Sequence, residues 1–141
     1  MNLNLIKQSV FKVLNDDTTL QGLLKASGRI HRQSPPIDVK YPCITYECTS
    51  NDNPYNQNDS SGKIVEALLI ITIFSNEAAD TESDNIEARI KTLLHGQNED
   101  LTNDSIICYS CYRIGVGSQR KDPQHNIWVT IPSYRIRWAT K

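Results

Sequence analysis

Apolar positions along the chain follow two different periods. Leu3, Ile6, Val10, Val13 and Leu14 recur at helical spacing, with Asn4, Lys7, Gln8 and Lys12 between them. This predicts an amphipathic helix over residues 3–15, ended by Asn15-Asp16-Asp17. Thr18 or Thr19 would cap a short second segment through Leu24, which Gly22 weakens and Ser27-Gly28 stops. Arg29-Ile30-His31 then leads outward as a short extended piece. Gln33-Ser34-Pro35-Pro36 reads as a loop, because two prolines fix φ and remove donors. After Tyr41-Pro42 the pattern turns strand-like: CITYECT, from Cys43 to Thr49, is β-branched and aromatic.

The dominant run is Lys63 to Ser75. From Ala67 to Phe74 it has no charge, proline or glycine, and five of the eight residues are Leu or Ile. In a strand, Val65, Ala67, Leu69, Ile71 and Ile73 point one way. Ile64, Glu66, Leu68, Ile70, Thr72 and Phe74 point the other way. Both faces are apolar, so both need cover, and an exposed edge of this composition would aggregate. The uninterrupted Val65–Ile73 series suits packing under helices. Ile64, Leu68, Ile70 and Phe74 are therefore the candidates for cover by further protein, from this chain or from a neighbouring copy.

Between the two strands lies SNDNPYNQNDSSG, residues 50–62, with a single aromatic, Tyr55, among Asn, Asp, Ser, Gln and Pro. It is either a mobile hairpin tip or a partner-contacting arm, because loops of this length in compact domains tend to be functional or disordered. Its candidate contact residues are Asn53, Tyr55, Asn56, Asn58 and Asp59. Beyond the central strand, Ser75-Asn76 offers a helix cap. Glu77, Asp80, Glu82 and Asp84 then complement the dipole, and Ala79, Ile86, Ile90, Leu93 and Leu94 form a buried stripe. Gly96 is the stop and Gln97 to Asp104 a polar connection.

Ser105 to Arg113 reads as a strand and Gly115-Val116-Gly117 as the start of a turn running to Pro123. In the last strand, Ile127, Val129 and Ile131 share one parity and Tyr134, Ile136 and Trp138 the other. A bulge at Pro132-Ser133 would bring both halves onto one face. The sequence thus predicts an α+β fold in a single domain over residues 1–141. Its order is α-β-β-α-β-β, with a mainly antiparallel four-stranded sheet and helices packed on one face.

Composition narrows the function. Fifteen basic and 16 acidic residues give a formal charge of −1, which argues against a dedicated nucleic-acid binder. The apolar run is far shorter than the roughly 20 residues of a membrane-spanning helix, and the N-terminus lacks the unbroken apolar region of a signal peptide. The product is expected to stay in the cytoplasm. Cys43, Cys48, Cys108 and Cys111 have zinc-like spacings, C-x4-C and C-x2-C, but the residues between them are strand formers. In a regular strand Cys108 and Cys111 would point to opposite faces, so the thiols read as reduced small hydrophobes.

No P-loop, dinucleotide-binding turn or H-E-x-x-H occurs, and His31, His95 and His125 stand alone. Arg113, Arg120, Lys121, Arg135 and Arg137 give a basic bias without the interleaved aromatics of single-strand binders. No catalytic residue, metal or cofactor is expected.

The chain does resemble a known family, the phage tail-terminator and tail-completion proteins. The resemblance is carried by Leu14, Asp17, Leu20 and Leu23, then Gly28-Arg29-Ile30, and after the proline loop Tyr41-Pro42-Cys43-Ile44-Thr45-Tyr46. It continues in Ile70-Ile71-Thr72-Ile73-Phe74-Ser75, Leu93-Leu94-His95-Gly96 and Tyr134-Arg135-Ile136-Arg137-Trp138. The long Asn/Asp-rich loop and the four cysteines depart from the family pattern. The resemblance implies a hexameric ring in the virion neck, assembled in the bacterial host cytoplasm. Such a ring caps the tail tube protein, docks the head connector or stopper protein, and lets DNA through its lumen without specific binding. Two other readings remain: a head-side connector or stopper, and a small α+β dimeric binding module outside phage.

Overall fold

A computed structural model describes residues 3–35, 38–50 and 64–141. Helix α1 (Leu3–Asn15) buries Ile6, Ser9, Val10 and Leu14. Asp17 caps the short helix α2 (Thr18–Leu23), its carboxylate accepting the Leu20 N–H at 2.8 Å. Strand β1 (Ile30–Arg32) lies parallel to β2 (Cys43–Ser50), which pairs antiparallel with β3 (Val65–Ser75). Helices α3 (Thr81–Leu94) and α4 (Asn98–Leu101) follow, then the long hairpin of β4 (Ile106–Asp122) and β5 (Ile127–Thr140).

The sheet has five strands in the order β1-β2-β3-β5-β4. This overturns the expected four-stranded sheet and its α-β-β-α-β-β order. The extended piece after Gly28 is a parallel edge strand, and the polar connection after Gly96 holds a helix of its own. Helix α3 starts at Thr81 rather than at a Ser75-Asn76 cap. The Ser75 hydroxyl instead donates to Glu82 at 2.7 Å.

Two further expectations about the C-terminal strands fail for one reason. Gly115-Val116-Gly117 does not turn the chain; β4 runs through it, and the reversal comes at residues 123–126, with Asn126 at φ 56°. Nor does β5 bulge at Pro132, because β3 and β5 keep one offset from Val65↔Trp138 to Ser75↔Trp128. The irregularity sits opposite, in β4, where three residues between Ile114 and Ser118 face the single Pro132. A Cβ on Gly117 would lie 2.7 Å from Arg113 Nη2 and 3.1 Å from the Ile131 carbonyl oxygen, so a side chain there would displace the Arg113 guanidinium and crowd β5.

All four helices contribute to a single core on one side of the sheet. Val65, Ala67, Leu69, Ile71 and Ile73 supply its β3 wall, and Tyr134, Ile136 and Trp138 its β5 wall, all buried. Asp17 also fastens α2 to α3, accepting from Arg89 Nε at 2.8 Å and Nη2 at 2.7 Å. The Arg89 hydrogen bonds hold the Asp17 carboxyl below its ordinary pKa, against the opposing effect of partial burial. A depressed folded pKa stabilises above the ordinary carboxylate range, and that stabilisation is lost as pH falls through the folded value. Asp17→Ala should cost about 1–2 kcal/mol near neutral pH from the lost cap alone. In urea melts the gap between variant and wild type should close as the solution is acidified.

Candidate functional site

Strand β3 alternates strictly between buried and half-buried residues along its whole length. The half-buried set is the face away from the helices. Leu68, Ile70 and Phe74 lie on it at period two, part exposed, and Ile64, also part exposed, directly precedes the strand. Pairing extends this apolar surface sideways: Phe74 lies opposite Val129, and two residues further along β5 Ile131 points the same way. Ile114 of β4 joins through its pairing with Ser133. Sequence reasoning missed Val129 and Ile131 by folding them under the helices. Their parity relative to Tyr134 was the available signal, and it is obeyed without a bulge.

Charge borders the apolar strip at one end. Glu66, on the same face, lies 3.2 Å from Arg135 Nε and 3.5 Å from Arg137 Nε. Cross-strand pairing puts these arginines there, since Glu66 faces Arg137 and Leu68 faces Arg135. On β2 the same face carries buried Cys43 and Thr45, then exposed Glu47 and Thr49. The surface is thus an apolar band with a charged border, and a cleft lined by Thr49, Glu66, Leu68, Ile114 and Arg135 opens at that border. The loop candidates Asn53, Tyr55, Asn56, Asn58 and Asp59 lie outside the described residues.

The residue types that carry chemistry are engaged elsewhere. Cys108 and Cys111 both reach the helix side, because the bulge at Tyr109 adds a residue between them; the expectation of opposite faces does not hold. Burial pushes the thiols of Cys43, Cys48 and Cys108 up to about 11 and that of Cys111 to about 12, the last raised further by Cys108 and Cys48. All four are free and buried. They should resist a maleimide in native protein at mildly alkaline pH and react fully in denaturant; fast labelling of any one would contradict its placement.

Among the described residues no group of three His, Cys, Asp or Glu side chains is placed to hold a metal. His95 accepts the Arg113 backbone N–H at Nδ1, 3.0 Å away, and meets Tyr112 edge-on at 5.6 Å. His125 pairs with Asp122 at 2.9 Å and holds its carboxyl below the ordinary range. His31 lines a surface cleft beside β1. No helix of the described residues is long and apolar enough to cross a membrane.

A helix-backed sheet with a broad half-exposed apolar face is suited to assembly. The class it defines is a structural protein. Residues 8–131 match the family described as Tail completion protein gp17, and the chain belongs to that family. It is therefore a structural component of a virion, associated with the tail and its joining. No curated protein sequence matches it. Among solved structures, a chain of "Virion of native gene transfer agent (GTA) particle" is similar in fold, with a TM-score of 0.74 at 13% identity. That similarity covers 96% of this chain and 94% of the other.

Proposed function

We propose that the protein closes the tail tube as a hexameric ring and offers the docking face for the head connector. Residues 1–141 act in it as one tail-terminator-like domain. The observation that carries this reading is the half-exposed apolar face of β3, turned away from the helices of the described residues, in a member of the tail-completion family. Ile64, Leu68, Ile70 and Phe74 are covered when a neighbouring copy packs against them, and Val129 and Ile131 widen the patch. A closed cyclic arrangement shields such surface without leaving a free end. The loop bearing Asn53, Tyr55, Asn56, Asn58 and Asp59 reaches a neighbour, the lumen or the tube.

The role is mechanical. Occupying the last ring of tube subunits stops growth, and the opposite side then binds the head. A formal charge of −1 suits a lumen through which DNA slides without sticking. Assembly takes place in the bacterial host cytoplasm, and the finished ring sits in the virion neck.

Disrupting the gene in its phage tests the reading. Overlong tails, or finished tails not joined to heads, are the expected result. Normal tails beside heads that leak DNA would instead identify a head-side stopper and overturn the proposal. Native mass spectrometry, with electron microscopy of isolated tube ends, reads the copy number directly.

A further inference from the structure

Three large apolar side chains are exposed among the described residues, and they fall in two places. Phe11 is 38% exposed on α1, while Tyr109 and Tyr112 are 48% and 53% exposed on β4. These places lie on opposite flanks. Around α1, Ser9 and Phe11 are about 200° apart. Ser9 turns to α4, where its hydroxyl donates to the Leu101 carbonyl. Phe11 turns to β1, the sheet edge opposite β4.

Beside β1, Phe11 walls an open cleft with Ile30, His31, Arg32, Ser34 and Tyr46. Its charged neighbours are basic. Arg32 is held over the cleft by its bonds to the Tyr46 hydroxyl at 3.2 Å and to Asn4 Oδ1 at 2.7 Å. Lys7 lies one helical turn before Phe11, and its carbonyl accepts the Tyr46 hydroxyl at 3.4 Å. Among the described residues no carboxylate lines this cleft.

The other flank has the opposite sign. Tyr109 is the extra residue of the bulge between Cys108 and Ser110. It stands over a shallow apolar cleft lined by Ile107, Asn98, Glu99 and Thr102. Glu99, Asp100 and Asp104 are exposed around it. None of the three forms an ion pair among the described residues. An aromatic anchor inside a ring of charge is the composition of a binding hot spot, and the opposite charge lies beside the Phe11 cleft.

The geometry points to a contact between copies in which Tyr109 of one subunit enters the Phe11 cleft of the next. Glu99 and Asp100 then face Lys7 and Arg32. The two patches are different surfaces, so the contact is head-to-tail, the kind that closes into rings. It rests on the ring reading above and adds a second seam, separate from the Ile70 face.

Cross-linking tests it, because the four native thiols are buried and give a silent background. Ser34→Cys places a thiol at the cleft and Glu99→Cys one beside Tyr109, leaving both aromatic anchors in place. A short bismaleimide is applied to the assembled form, free rings or rings on tube ends. Subunits carrying both substitutions should give a covalent ladder ending at the closed ring. A mixture of the two single variants should give hetero-dimers, and either single variant alone should stay uncross-linked.

Charge reversal supplies a second readout. Arg32→Glu or Asp100→Arg should each reduce the ladder at least tenfold, and the double reversal should restore it. Rings that form without a ladder, or single variants that cross-link with themselves, overturn this contact and leave the ring reading standing. Absence of rings both in solution and on tubes overturns the ring reading and the contact together.

Discussion

Ile71→Ala should destabilise the folded subunit by about 2–5 kcal/mol, the cost of removing buried methylenes and leaving a cavity beneath the helices. Ile71 is fully buried and sits in the middle of the core wall. Its neighbour across the sheet is Tyr46 in β2, and Tyr134 of β5 pairs with Leu69 two residues along the same wall; both are buried and packed too closely to collapse into the space. Urea denaturation followed by tryptophan fluorescence measures the change, since Trp138 lies in the same core. A loss below about 1 kcal/mol would mean that the core is plastic there and that the alternation along β3 does not decide stability.

The adjacent residue should behave in the opposite way. Ile70→Asp should leave the isolated subunit folded, because Ile70 is only half-buried and its side chain points away from the core. Assembly should suffer severely. A carboxylate at the centre of a buried patch has to be dehydrated without a partner, which costs several kcal/mol per contact and recurs at every seam of a ring. We expect association to fall at least a hundredfold, with the circular-dichroism spectrum and urea midpoint of the monomer little changed. Sedimentation velocity and negative-stain images provide the readout. Rings of wild-type abundance would show that this face is not the seam, whereas a collapsed midpoint would show that it is covered within one subunit. Ile70 and Ile71 are consecutive residues of one type, so their contrast isolates orientation from composition.

Much of the fold was legible in the sequence where a segment was long enough to show its period. The helical stripe from Leu3 to Leu14, the two-sided run of β3 and the Ile86, Ile90, Leu94 stripe of α3 all repeat over several turns or residues. Strand β1 has three residues and α4 has four, too few for any period to declare itself. The parallel pairing of β1 with β2 depends on a crossover partner that no local signal names.

The error in β5 is more instructive. Alternation rules assume one wet face, so Ile127, Val129 and Ile131 looked like a continuation of the core that had slipped by a residue. They belong instead to the second apolar face, and the slip vanishes once that face is admitted. Glycines in β4 misled for a related reason. Without knowing that Pro132 lay opposite, Gly115 and Gly117 signalled a chain reversal rather than a bulge. The candidate surface on β3 was legible from its residues, whereas Asp17–Arg89 and the Tyr109 bulge needed the three-dimensional path of the chain.

The connection from α3 to β4 has a consequence for what the outer edge of the sheet can pair with. Gly96 donates its N–H to the Cys111 carbonyl at 2.7 Å, and Asn98 Nδ2 donates to the Cys108 carbonyl at 3.3 Å. The Cys108 N–H is taken by Thr102 Oγ1 at 2.9 Å and the Arg113 N–H by His95 at 3.0 Å. The outward backbone groups of β4 between Cys108 and Arg113 are thus engaged, and the opposite edge strand, β1, has three residues. Addition of a foreign strand is thereby hindered over the first half of β4. Contacts made on that stretch of edge then fall to side chains.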